Sequence, residues 1–108
     1  MAQALLTNAT TTGAGDLWHP RDTTAYATYK YHSFQAVGET SAGSGAATVL
    51  IQVSNDGVNF LTMGTITLTL GTAVTSDGFA AANTWEYYRA NVSAISGTDA
   101  TVSVFMKG

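Results

Sequence analysis

One stretch of the sequence, residues 46–70, constrains the fold most because apolar and polar side chains alternate on both sides of a turn signal. This period of two is typical of strands that bury one face and expose the other. The Asp56-Gly57 pair between the two runs tolerates the positive φ angles that a tight reversal needs. The stretch therefore predicts a β-hairpin. The side chains expected to face the core are Val49, Ile51, Val53, Ile66, Leu68 and Leu70.

The rest of the chain also has the composition of strands, and no segment carries helical periodicity over the length that a helix requires. Further strands are predicted at 4–8, 28–37, 85–92 and 100–106, with a short extended piece near Leu17. Strands at this spacing are typical of an all-β fold. We expect an antiparallel β-sandwich, jelly-roll-like or a related barrel, of about six to eight short strands.

The connections are predicted from small residues and turn signals. Residues 38–45 are expected to form a flexible loop, and residues 71–83 a connection with a second turn at Asp77-Gly78 and Phe79 tucked under the sheet. A further turn is predicted at 96–99.

The chain is expected to form an extended N-terminal arm, residues 1–24, and a single β-sandwich domain, residues 25–108. The anchors predicted for the arm are Leu5, Leu6 and Trp18. Such an arm either lies across the sandwich as an edge strand or reaches a neighbouring subunit. If the arm serves assembly, deletion of residues 1–15 should leave the domain folded while weakening assembly.

Few residues are charged: 10% of the chain, against about 25% in an ordinary protein. A surface poor in charge suits a protein that neighbours cover, because covering it leaves few charges without solvent. It suits a solvated β surface equally well, since threonine is favoured on the outer face of strands.

The charge balance argues against nucleic acid as a partner. The net charge is -3, and the four basic residues, Arg21, Lys30, Arg89 and Lys107, are scattered rather than clustered. No run approaches the length of a membrane span. The chain has no cysteine, and its start lacks the features of a signal peptide, so we expect synthesis and folding in a cytoplasm.

No arrangement of residues predicts a reaction, so we expect no catalytic residues, cofactor or metal. His32 and Ser33 are adjacent, but neighbours on a strand point to opposite faces. With two histidines and no cysteine, a zinc site is not expected. Five of the seven acids lie in predicted turns or loops, where aspartate stabilises the backbone, and calcium at a loop stays open as an alternative.

The aromatic side chains allow three interpretations. They fill the core, form a protein interface or present a stacking platform for sugar rings, because an aromatic ring offers an apolar face and, in Tyr and Trp, a polar edge. The residues concerned are Trp18, Tyr26, Tyr29, Tyr31, Trp85, Tyr87 and Tyr88.

Across these segments, the chain resembles a family of small all-β virion proteins of tailed bacteriophages. The resemblance covers VLIQVSNDGVNFLTMGTITLTLGTAVTSDGF, then WEYYRANVSAISGTDATVSVFMKG, with MAQALLTNATTTGAG and FQAVGETSAGSGAA before them. Its most specific element is the ordered set SNDGVNF, TSDGF and WEYYRANV. A strand followed by Ser-x-Asp-Gly-x-x-aromatic is also similar to discoidin-like carbohydrate-binding sandwiches.

The resemblance implies a virion structural protein, and we expect a capsid decoration or cement protein on the capsid exterior, made in the host cytoplasm. Its implied partners are the major capsid protein and further copies of itself. The candidate interface residues are Leu5, Leu6, Trp18, His19, Tyr29 and Tyr31. A neck or tail location and a carbohydrate-binding module that contacts the host surface are the alternatives.

Overall fold

The computed structural model describes residues 3–17, 31–82 and 85–107. Within these ranges the secondary structure consists of eight strands. They are β1 (Gln3–Ala9), β2 (Gly13–Ala14), β3 (Tyr31–Glu39), β4 (Ala42–Ser54), β5 (Leu61–Leu70), β6 (Thr75–Ala82), β7 (Tyr87–Thr98) and β8 (Thr101–Lys107). These residues include no helix that is long and apolar enough to cross a membrane.

The strands form two four-stranded antiparallel sheets. The first sheet has the order β1-β8-β3-β6 and the second has the order β2-β7-β4-β5. The pairs β4–β5, β3–β6, β2–β7 and β1–β8 are nested around the connection that follows β4. Eight strands nested in this way are a jelly roll, so the predicted antiparallel β-sandwich is confirmed.

The hairpin predicted from residues 46–70 is the innermost of the nested pairs. β4 and β5 pair from Gly45 opposite Leu70 to Val53 opposite Leu61. The register shifts once, where Met63 forms a bulge beside Ile51 and Gln52. All six side chains that the alternation assigns to the core are at most 2% exposed.

The core lies between the two sheets and is built from alternate residues of most strands. On β8 and β7 the inward positions are those that a period of two gives, because one face of each strand is covered and the other is not. The buried apolar residues are Leu5, Phe34, Ala36, Ala47, Val49, Ile51, Val53, Ile66, Leu68, Leu70, Tyr88, Ala90, Val92, Ala100, Val102, Val104 and Met106.

The segment 38–45 is not the flexible loop that its small side chains predict. β3 continues to Glu39 and β4 begins at Ala42, so two residues connect the first sheet to the second. The backbone N–H of Ser41 donates to Thr98 O at 3.0 Å, which fixes this connection against β7. Gly45 allows the close approach of β7, since a Cβ there would lie 2.0 Å from the carbonyl oxygen of Ser96. The small residues therefore serve close strand packing.

The segment 71–83 contains a strand where a connection was expected. β6 is an edge strand that pairs with β3, and Asp77 and Gly78 lie inside it rather than in a turn. Gly78 is needed for close approach, because a Cβ there would lie 2.1 Å from the carbonyl oxygen of Phe34. Phe79 does contact the core, with its ring centroid 5.3 Å from that of Phe34.

Two further boundaries differ from the expectation. β7 continues through Thr98, and the reversal into β8 falls at Asp99, whose φ is 50°. The extended piece expected near Leu17 lies earlier, at β2, and Leu17 itself is 46% exposed. Residues 28–30 of the strand predicted at 28–37 are outside the described residues.

Candidate interface surfaces

The first predicted strand is part of the first sheet, and this changes the role of Leu5. β1 pairs with β8, and the side chain of Leu5 is 1% exposed inside the core. Leu5 is therefore not available to a partner, which corrects its place among the interface candidates. Leu6 is half-buried and packs against the same core.

Of the remaining candidates, only Tyr31 lies within the described residues. Tyr31 begins β3, where its backbone is opposite Ala82. Trp18, His19 and Tyr29 lie outside the described residues. Among the other aromatic residues, Tyr88 is fully buried, while Trp85 and Tyr87 are half-buried.

His32 and Ser33 occupy opposite faces of β3, as the strand period predicts. His32 is 3% exposed, and its ring centroid lies 4.9 Å from that of Tyr88 in the core. Ser33 is exposed. The two side chains therefore cannot act on one substrate.

The outer face of the second sheet is mostly polar and nearly without charge. We call it the threonine face. Residues directly opposite each other on neighbouring strands share a face, so the strand register defines its members. They are Ala46, Thr48, Leu50, Gln52, Thr62, Thr65, Thr67, Thr69, Arg89, Asn91, Ala94 and Ser96. Thr65, Thr67 and Thr69 are exposed along β5, beside half-buried Thr48 and Leu50 on β4.

Arg89 is the one charged member of the threonine face, and its guanidinium group is held in place. Its Nε donates a hydrogen bond to Gln52 Oε1 at 2.8 Å, and Asn91 Nδ2 donates to the same oxygen at 3.4 Å. The guanidinium carbon lies 3.8 Å from the centroid of the Phe60 ring, a cation–π contact. The cluster of Gln52, Phe60, Arg89 and Asn91 thus combines amide groups, a cation and an aromatic ring.

The connection after β4 is organised by Asp56. Its Oδ1 accepts hydrogen bonds from the backbone N–H groups of Val58 and Asn59, both at 2.8 Å, and from Ser54 Oγ at 2.7 Å. Its Oδ2 accepts from Asn59 Nδ2 at 2.9 Å. These donors, the Asn59 backbone first among them, hold the pKa of Asp56 well below its usual range. Both oxygens are engaged in the turn, which confirms Asp56-Gly57 as a turn element.

This connection also packs against the start of β7. Asn55 Oδ1 accepts a hydrogen bond from the backbone N–H of Glu86 at 3.1 Å. Gly57 has a φ of 75° and lies under the Tyr87 ring, so that a Cβ there would be 3.3 Å from the ring. The turn is therefore fixed both by its own side chains and by contacts with the neighbouring strand.

An open cleft of about 330 Å³ lies at the opposite end of the sandwich. Its lining residues are Thr10, Ile95, Ser96, Gly97, Asp99, Ala100 and Thr101. Asp99 is the ionisable group of this lining, and its Oδ2 accepts a hydrogen bond from Ser41 Oγ at 2.9 Å. Within the described ranges, no three His, Cys, Asp or Glu side chains lie close enough together to hold a metal ion.

Sequence reasoning missed the Arg89 cluster because its members come from three separate segments. Gln52 and Arg89 meet only through the pairing of β4 with β7, and this pairing leaves no local signal in the sequence. Phe60 is brought to them by the turn after β4. The alternation in residues 85–92 does predict that Arg89 and Asn91 lie on one face of the strand.

No protein-family model matches the chain. No curated protein matches it either. Among solved structures, the chain is similar to the PBSX exported protein XepA, with a TM-score of 0.61 and 12% sequence identity. The alignment covers 98% of this chain and 36% of that chain, so this chain spans about a third of the neighbour's length. At this identity the similarity shows a shared fold.

Proposed function

We propose that this chain is a non-enzymatic structural protein of a tailed bacteriophage virion. In this role it acts as a capsid decoration protein that binds the outer capsid surface and bridges neighbouring capsomers. The threonine face is the surface that meets the coat protein.

The observation that carries this proposal is the near absence of charge on the threonine face. Burying a charged group against a partner costs free energy unless it finds a counter-charge, whereas small apolar residues are buried at little cost and a threonine hydroxyl needs only a hydrogen-bond partner. Arg89 is the exception: Gln52 and Phe60 hold its guanidinium group but supply no negative charge, so the counter-charge has to come from the partner. A broad surface with this single charge fits a partner that covers it permanently.

Two further points support the proposal. The sequence resembles small virion proteins of tailed phages, and the fold is similar to that of the phage PBSX exported protein XepA. The net charge of -3 disfavours contact with packaged DNA, which agrees with a position on the capsid exterior.

The test is binding of the purified protein to expanded, undecorated heads. We expect saturation at a fixed ratio to the coat protein. Thr48→Lys introduces a charge in the middle of the threonine face and should weaken binding by about tenfold or more, since an unpaired buried charge costs several kcal/mol. Gln35→Lys is the matched control, because Gln35 is exposed on the outer face of the first sheet.

Two results would overturn the proposal. If heads do not bind the protein and labelled protein is found on tails, the neck or tail location is correct. If Gln35→Lys weakens binding as much as Thr48→Lys, the threonine face is not the contact surface.

A carbohydrate-binding module is the second candidate, and the Arg89 cluster favours it. Amide groups, a guanidinium group and an aromatic ring side by side can bind sugar hydroxyls and the apolar face of a sugar ring. Here calorimetric titration should show saturable sugar binding that Asn91→Ala abolishes while the folded structure is retained. Unchanged binding in Asn91→Ala would place any sugar site outside the Arg89 cluster.

A further inference from the structure

Four strands lie at the sheet edges among the described residues, and three of them are irregular, short or charged. β1 changes register twice along β8, and β2 has two residues. β6 carries the exposed carboxylate of Asp77. Irregularity, shortness and charge are the features by which proteins keep an edge strand from pairing with another chain.

The fourth edge, β5, has none of these features over most of its length. It contains ten residues without a charged side chain or a proline. After the bulge at Met63, its register to β4 is regular from Gly64 to Leu70. A long, flat, uncharged edge is a template for strand addition.

The backbone of β5 also offers hydrogen-bonding groups to its open side. The carbonyl oxygen of Thr69 points away from β4, because it accepts a hydrogen bond from Thr75 Oγ1 at 3.1 Å. A carbonyl oxygen has two lone pairs, so one remains for a donor from a second strand. The N–H and C=O groups of one strand residue point to the same side and alternate along the strand. The backbone groups of Thr67 and Thr65 therefore face the open side as well.

The sequence of this edge is close to self-complementary. Thr65-Ile66-Thr67-Leu68-Thr69 reads almost the same in both directions. When two copies pair antiparallel with Thr67 opposite Thr67, Thr65 lies opposite Thr69 and Ile66 opposite Leu68. Threonine then meets threonine on the outer face, and apolar residues meet on the inner face. No like charges are opposed, which is the condition for pairing around a two-fold axis.

We propose that β5 is a dimerisation edge, and that its occupant is the β5 strand of a second copy of this chain. The two second sheets join into one eight-stranded sheet centred on Thr67. The threonine faces of the two copies become continuous, so a dimer presents twice the neutral surface of one copy. This pairing is a property of the protein alone and does not depend on a role in the capsid.

The first experiment measures mass in solution by sedimentation equilibrium. The wild-type protein should have twice the 11.2 kDa mass of one chain. Thr67→Lys and Thr67→Glu, each alone, should be monomeric because like charges meet at the axis, and an equimolar mixture of the two should dimerise again. Thr48→Lys is the matched control: it adds the same charge on β4, one strand further from the axis, and should stay dimeric.

The second experiment tests the register, using the absence of cysteine from the chain. Under mild oxidation Thr67→Cys should form a disulfide-linked dimer, since directly opposite residues lie within disulfide reach. Thr65→Cys alone should stay uncrosslinked, and its mixture with Thr69→Cys should crosslink. Thr48→Cys should not crosslink.

Either of two results overturns the proposal. If the wild-type protein is monomeric at its highest soluble concentration, β5 does not pair with a second copy of the chain. A dimer that survives both Thr67→Lys and Thr67→Glu would be held by another surface. Because heads are absent from both experiments, failure here is distinct from failure of the decoration role.

Discussion

At the scale of single residues, the turn after β4 shows how one carboxylate can fix a connection. Asp56 accepts from the backbone of Val58 and Asn59, while Ser54 Oγ accepts from the backbone N–H groups of Asp56 and Gly57. An aspartate that accepts hydrogen bonds from backbone N–H groups later in the turn replaces water molecules that would otherwise bond these groups. Asp56 is exposed, so the stabilisation comes from the bonds and not from burial.

The lowered pKa of Asp56 predicts how stability depends on pH. The ionised form stabilises the fold above the ordinary value of 3.8, and this contribution is lost as the pH falls below it toward the lower pKa of the folded state. Asp56→Asn should lower the melting temperature at neutral pH, and the difference from wild type should shrink below pH 3.8. Thermal melts followed by circular dichroism across this range measure the effect.

Asp77→Asn is the control for the loss of one negative charge in an Asp-Gly pair. Asp77 Oδ1 accepts one bond, from the backbone N–H of Gly78 at 2.8 Å, and it lies in a strand. The interpretation of the Asp56 turn would be wrong if the melting difference of Asp56→Asn stayed constant down to the lowest pH, because the bonds would then not distinguish the two protonation states.

At the scale of elements, the sequence predicted the strands whose two faces differ and missed those whose faces do not. β4, β5 and β8 alternate because one side packs on the core, and the prediction for them is confirmed. In β6 small or polar residues occupy both faces apart from Phe79, so no alternation distinguishes the strand from a loop. Its pairing with β3 is set by close approach at Gly78, a tertiary requirement that no local pattern reveals.

The threonine face was predicted only in part, because the composition and the alternation indicate a threonine-rich outer surface of low charge but not its extent. Alternation shows which residues of one strand point outward, but the surface exists only through the order β7-β4-β5. The interface candidates predicted from the sequence are mostly large apolar and aromatic residues, whereas the threonine face is built from residues that are individually unremarkable. Their arrangement, and not their type, makes the surface.

The first strand gives the prediction at this scale. Since Leu5 is 1% exposed, Leu5→Ala should lower the free energy of unfolding by about 2–5 kcal/mol. Leu6→Ala, at a half-buried neighbouring position, should cost less. Deletion of residues 1–15 removes β1 and β2 together, so we now expect loss of the fold rather than a domain that stays folded. Urea denaturation measures all three, and a stable deletion variant would show that β1 is a separable arm.

At the scale of the whole molecule, the nested pairing explains why the hairpin at residues 46–70 is central to the fold. Val53 and Leu61 are close in the chain, whereas Tyr31 pairs with Ala82, Gly13 with Val92 and Gln3 with Met106. Each outer pair closes a longer loop than the pair inside it, and closing a longer loop costs more entropy. Once the inner hairpin has formed, every further pair needs less additional closure.

Circular permutation tests this order of events. It is feasible because β1 and β8 are neighbours, so that a short glycine-serine linker can join the two ends of the chain. A permutant opened between Asp56 and Gly57 makes β4 and β5 the most distant pair. The loop between Val53 and Leu61 becomes roughly twelvefold longer, which costs about 2 kcal/mol at about 0.6 kcal/mol per doubling. Opening the exposed connection at Ala73 leaves the hairpin intact and serves as the control.

We expect the permutant opened at Asp56 to refold more slowly than the one opened at Ala73, by about tenfold or more if the hairpin is formed in the transition state. Stopped-flow tryptophan fluorescence measures both rates. The unfolding rates should differ less, since the slower refolding arises from loop closure before the transition state. Equal refolding rates would mean that another pair closes first, with β1 and β8, made local by the linker, as the leading candidate.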